Sequence, residues 1–138
     1  RIFNDLQAVL AEQPDVKLVV TEFPILAETS VLAAKAAIAA HRQGKFRQFH
    51  ISMMTWRGKI DEDAIDAAVK KAGLDKNRLR KEMEDELTAS ILSKTRAAAA
   101  ALEVRGTPAL IIGETIIPGA ISKNEILDLI NQTRAAKN

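Results

Sequence analysis

Apolar residues recur at three- and four-residue intervals from the start of the chain, where Ile2, Phe3, Leu6, Val9 and Leu10 predict an amphipathic helix over Arg1 to Ala11. No capping residue precedes its first turn, so the natural chain is expected to begin earlier. Pro14-Asp15 reads as a turn. Val16-Lys17-Leu18-Val19-Val20-Thr21-Glu22-Phe23 is short and rich in β-branched residues, and predicts a buried strand that Pro24 ends. From Glu28 to Leu102 nothing resembles a strand. Leu32, Ala33, Ala36, Ala37 and Ala40 form a small-residue helical face that stops at Gly44, and Lys45 to Trp56 continue as a helix carrying Phe46, Phe49, Met53 and Trp56. Asp61 caps a third helix, with Ala64, Ile65, Ala68 and Val69 inward and Gly73 at its end. Asp75 caps a longer fourth, with Leu79, Met83, Leu87, Ile91 and Leu92, passing into the alanine run Ala97 to Ala101 with room for a bend near Thr88.

The helical pattern breaks at Arg105-Gly106-Thr107-Pro108. Ala109 to Ile112 and Thr115 to Ile117 are short apolar strands around the turn Gly113-Glu114, which predicts a β-hairpin. Ser122 caps a last helix, Glu125 completes a capping box, and Ile126, Leu127 and Ile130 form its buried face. With one more strand before Arg1, the order becomes β-α-β, a helical insertion, then β-β-α. That is an α/β, thioredoxin-like fold with an inserted multi-helix subdomain, its first strand missing from this chain. The expected organisation is a single domain over 1–138, N-terminally incomplete, with residues 28–102 as the insertion and residues 1–27 and 103–138 as the thioredoxin-like core. The helix over Arg1 to Ala11 is its right-handed crossover.

Composition narrows the chemistry. A 28% charged fraction with a net charge of +2 is a slight basic excess spread along the chain, unlike the clustered Lys and Arg of a nucleic-acid footprint. Tyrosine is absent and aromatics make up 4%, too few for base stacking. No apolar run approaches the ~20 residues that cross a bilayer. Cysteine is absent, which excludes a disulfide, a thiolate metal site or a cysteine nucleophile among these residues.

Five segments in order carry a family resemblance: Thr21-Glu22-Phe23-Pro24-Ile25-Leu26; Ser30-Val31-Leu32-Ala33-Ala34; Gln43-Gly44-Lys45-Phe46 with Phe49-His50; Val104-Arg105-Gly106-Thr107-Pro108; and Ile116-Ile117-Pro118-Gly119-Ala120. Together they resemble the DsbA-like thiol–disulfide oxidoreductases, in the branch that includes proteins described as outer-membrane antigens, over nearly the whole chain. The resemblance implies a periplasmic or exported bacterial enzyme without cofactor or metal. It would form or reshuffle disulfides in unfolded or cysteine-containing proteins, with a membrane redox partner and no nucleic acid. It also implies a Cys-x-x-Cys motif at the start of the first helix, which here falls immediately before Arg1, so no catalytic residue is expected within the chain.

Within the chain, the resemblance makes Gly106, Thr107 and Pro108 the substrate-binding residues. It implies a cis bond before Pro108 and leaves the Thr107 backbone open to pair with an extended peptide. From spacing alone the same residues read as a Gly-Thr-Pro turn into an edge strand. Glu22, at the end of a strand expected to be central, is a candidate for tuning a thiol pKa, against simple exposure at a strand end. His41 and His50 lie nine residues apart, which is no zinc-ligand spacing, and read as surface or half-buried packing residues. Met53, Met54 and Trp56 could line an apolar peptide surface but at helical spacing read as core. Lys76 to Glu86 reads as a solvated face. Two alternatives stay open: a redox-inactive peptide-binding module, and a glutathione-dependent transferase or isomerase of the same fold.

Overall fold

The computed structural model describes residues 1–138, and the architecture is mostly helical α/β. The helices are α1 (Ile2–Glu12), α2 (Glu28–Arg42), α3 (Phe46–Met54), α4 (Glu62–Ala72), α5 (Lys76–Met83) and α6 (Glu86–Ala101). The strands β1 (Ala109–Ile112) and β2 (Thr115–Pro118) follow, then α7 (Lys123–Ala136). The chain divides into two compact units, one formed by Arg1–Val20 with Leu102–Asn138 and the other by Thr21–Ala101.

In the first unit, α1 packs on α7 and α7 on β1. Val9 and Ile126 are its fully buried apolar side chains. Arg134 of α7 ties down the chain after α1, donating to both carboxylate oxygens of Asp15 at 2.8 and 2.7 Å and to Gln13 Oε1 at 2.8 Å. Lys123 pairs with Glu12. The hairpin register pairs Leu110 with Ile117 and Ile112 with Thr115. Its turn needs glycine, because Gly113 has φ 61° and an added Cβ would come within 2.8 Å of the Thr133 side chain. Ser122 and Glu125 form the expected capping box.

The strand expected at Val16 to Phe23 does not form. Its residues lie outside any sheet, since the one sheet of the structure is β1 with β2 and this segment pairs with neither. β-branched residues favour an extended backbone, but a strand also requires a partner edge. Val19 is consequently 71% exposed.

The second unit holds the larger core. Ala36, Ala37, Ala39 and Ala40 let α2 approach closely, and Phe49, Met53, Ile65, Val69, Leu79 and Met83 fill the space around them. Asp61 and Asp75 cap α4 and α5 by accepting from the N–H groups of Ala64 and Arg78. Gln43 clamps the α4–α5 connection, its Nε2 donating to the Asp75 carbonyl at 3.1 Å and its Oε1 accepting from the Asp75 N–H at 2.9 Å.

Three expectations are corrected here. The long fourth helix is two helices, because Asp85 acts as an internal cap, accepting from Thr88 N–H at 3.0 Å, while the Thr88 hydroxyl donates to the Glu82 carbonyl at 2.6 Å. Leu87 is therefore exposed on the first turn of α6. The third helix ends at Met54, so Trp56 lies beyond it; Met53 is core, whereas Met54 and Trp56 are exposed. Lys76 to Glu86 is not wholly solvated, since Glu82 is 9% exposed and held by Arg78 Nε at 2.9 Å.

Candidate functional site

Gly106, Thr107 and Pro108 lie exposed in the first unit, in the stretch that leads into β1. The Thr107–Pro108 peptide bond is cis. The Pro108 carbonyl accepts from Gly119 N–H at 2.8 Å, which extends the hairpin pairing one step past the strands. Antiparallel bonding alternates along a strand, so this bond turns the backbone groups of Leu110 and Ile112 toward β2. The N–H and C=O groups of Ala109 and Ile111 are left on the open side. Thr107 precedes them on an unpaired strand edge, and Ile111 beside it is 54% exposed.

Glu22 belongs to the second unit. It is half-buried, and burial pushes its carboxyl up to about 7, with no cation paired to it. It therefore holds a proton through much of the range in which an exposed glutamate is ionised. His50 is half-buried and stacked on Phe46 with ring centroids 5.1 Å apart, and burial lowers its pKa. His41 is exposed and meets the same ring edge-on at 6.3 Å. No group of three or more His, Cys, Asp or Glu side chains is placed to hold a metal ion.

The first unit also carries an open hollow of about 270 Å³ lined by Ile117, Ile121, Leu129, Glu125, Asp128 and Gln132. None of Ile126, Leu127 and Ile130, the apolar face expected of the last helix, lines it, so nothing in that spacing points to it. No helix is long and apolar enough to cross a membrane.

The helical α/β architecture and the exposed Gly106-Thr107-Pro108 stretch at the head of the hairpin define a thioredoxin-like domain, and this chain of it holds no cysteine. The chain belongs to the DsbA-like thioredoxin domain family, whose model matches residues 1–131. It resembles a thioredoxin-like oxidoreductase from Silicibacter pomeroyi DSS-3 with a TM-score of 0.94 and 32% identity over 98% of this chain and 78% of that one. It also resembles a periplasmic thioredoxin-like protein from Salmonella enterica serovar Typhimurium, with a TM-score of 0.87 and 29% identity over 97% and 75% of the two chains. The thiol–disulfide exchange protein alpha-DsbA2 from Wolbachia pipientis is similar at a TM-score of 0.86 and 27% identity, over 95% and 72%. No curated protein matches the sequence.

Proposed function

We propose that this chain is the peptide-engaging scaffold of a thiol–disulfide oxidoreductase that forms or reshuffles disulfides in exported, cysteine-containing proteins. Its redox pair lies immediately before Arg1, at the amino end of α1. The exposure of Gly106, Thr107 and Pro108 at the head of the hairpin carries the reading, because it leaves the Thr107 backbone free to pair with an extended substrate chain. Gly106, Thr107 and Pro108 hold the substrate. The pair at the start of α1 supplies the exchange: a substrate thiolate attacks one sulfur of the enzyme disulfide and releases the other as thiolate. A second substrate thiolate then displaces the first enzyme sulfur, leaving the substrate oxidised and the enzyme a dithiol. The helix N-terminus favours the leaving thiolate. A membrane redox partner removes the electrons, and the site of action is the periplasm, as the description of the Salmonella relative suggests.

The test is thiol counting and exchange on the full gene product alongside the 138-residue chain. Alkylation should add two groups to the gene product, which should oxidise a reduced, unfolded protein, and none to this chain, which should be inert. A gene product without alkylatable thiols would overturn the reading.

The second reading is a redox-inactive module that presents the same exposed Gly106-Thr107-Pro108 stretch to unfolded peptides, and a full gene product without the cysteine pair would decide for it. It predicts that the 138-residue chain alone suppresses aggregation of a reduced, unfolded client.

A further inference from the structure

The junction between α5 and α6 interrupts a pattern that the sequence runs straight through. Leu79, Met83, Leu87 and Ile91 recur at four-residue spacing, the period of one continuous helical face. Leu79 and Met83 are buried against the alanine face of α2, and Ile91 packs with Leu92 on Ala34 and Ile38 of the same helix. Leu87, midway along the stripe, is 52% exposed.

A polar network holds the break open. Asp85 accepts from Thr88 N–H, and the Thr88 hydroxyl takes the Glu82 carbonyl, which in an unbroken helix would accept from Glu86 N–H. No backbone carbonyl accepts from the N–H groups of Glu86 or Leu87. Arg42, the last residue of α2, pairs with Asp85 and approaches Glu82 at 3.8 Å. Arg78 bonds Glu82 Oε1 at 2.9 Å and the Arg42 carbonyl at 3.3 Å. Lys35, two turns back on α2, bonds Glu84 at 3.0 Å. Glu82 Oε2 is buried without any partner, so the network is not fully satisfied in this arrangement.

We infer that the α5–α6 junction is a two-state element latched by Arg42: the broken form seen here, and a single continuous helix in which Leu87 joins Met83 and Ile91 against α2. The latch and the stripe oppose one another. Charge pairing and the Asp85 cap favour the break, while burial of Leu87 and two additional backbone hydrogen bonds favour continuity. Arg42 also ends α2, so any group that competes for its guanidinium acts on the α2, α5 and α6 contacts together.

The test is residue-resolved amide exchange on the 138-residue chain, comparing wild type with Asp85→Ala and Arg42→Gln. Asp85→Ala removes cap and ion pair together, and Arg42→Gln removes only the pairing. Protection of the Glu86 and Leu87 amides should rise by about an order of magnitude in Asp85→Ala and by less in Arg42→Gln, with new contacts from the Leu87 methyls to Met83 and Ile91. Unchanged exchange at Glu86 and Leu87 in both folded variants would overturn the inference. So would uniform loss of protection along α5 and α6, which would make the network a structural tie. If Asp85→Ala does not fold, Arg42→Gln decides by the same readings.

Discussion

The helical unit over residues 21–101 and the unit built from the two ends of the chain treat their backbones in opposite ways. In the first, helices satisfy most of their own hydrogen bonds, side-chain caps and Gln43 serve much of the rest, and a core from Ala36 to Met83 excludes water. In the second, Val9 and Ile126 are the only fully buried apolar side chains, β1 has one free edge, and Val16 to Val20 is extended without a partner. A unit that closes most of its hydrogen bonds around a large core is the stable part of the molecule. The other unit buries fewer apolar side chains and pairs fewer of its backbone groups, so it should open locally at lower cost.

Cavity formation should separate the two most strongly. Phe49 is 1% exposed in the helical core, and Phe49→Ala should cost about 3–5 kcal/mol, read as a lower denaturant midpoint. Ile126 is 2% exposed, and Ile126→Ala should cost about 2–4 kcal/mol. If the contrast between the units is real, exchange protection in Ile126→Ala should fall in α1, α7 and the hairpin first, while α2 to α5 keep theirs. Equal loss everywhere would mean that the two units unfold as one.

These positions also show what could be read from the chain. Ile126 and Phe49 sit on helices whose period is visible in the sequence, as do the Ser122–Glu125 box and the Gly113 turn, because helices, caps and tight turns are set by neighbours a few residues away. Val16 to Phe23 differs for the opposite reason: a strand depends on a distant partner edge, and no local pattern reports whether that edge is present. The break at Asp85 was hidden because the apolar stripe around it is continuous, and only Arg42, far away in sequence, reveals what holds it open. Of the candidate site, Gly106-Thr107-Pro108 stood out through its departure from helical pattern and through the family resemblance. The raised pKa of Glu22 depends on burial and was not legible.

Glu22 tests the contrast by pH. Its carboxyl is at about 7 in the folded chain against an ordinary 4.5, so the native state binds the proton more tightly than the unfolded one. Stability from this group is therefore complete below about pH 4.5 and falls as pH rises toward 7. Glu22→Gln should be more stable than wild type by about 3 kcal/mol at pH 8 and no more stable at pH 4. Thermal melts across that range check it, and parallel curves for the two proteins would remove Glu22 from the account.

The smallest expected effect compares like with like. Asp61 caps α4 in the helical unit and Ser122 caps α7 in the other, each by accepting a hydrogen bond from the backbone N–H three residues on. Alanine at either position should cost about 1 kcal/mol. The consequence should differ in place. Behind Asp61 stand Ala64, Ile65, Ala68 and Val69, all buried, so in Asp61→Ala the helix has a core to hold it and the loss should appear as a small global shift. Behind Ser122 only Ile126 is fully buried on α7, so in Ser122→Ala the first turn should fray locally, with faster amide exchange at Glu125 and Ile126 and a global midpoint that moves less than in Asp61→Ala. A global shift of the same size in both would show that the hairpin unit is bound into the cooperative core despite its open edge.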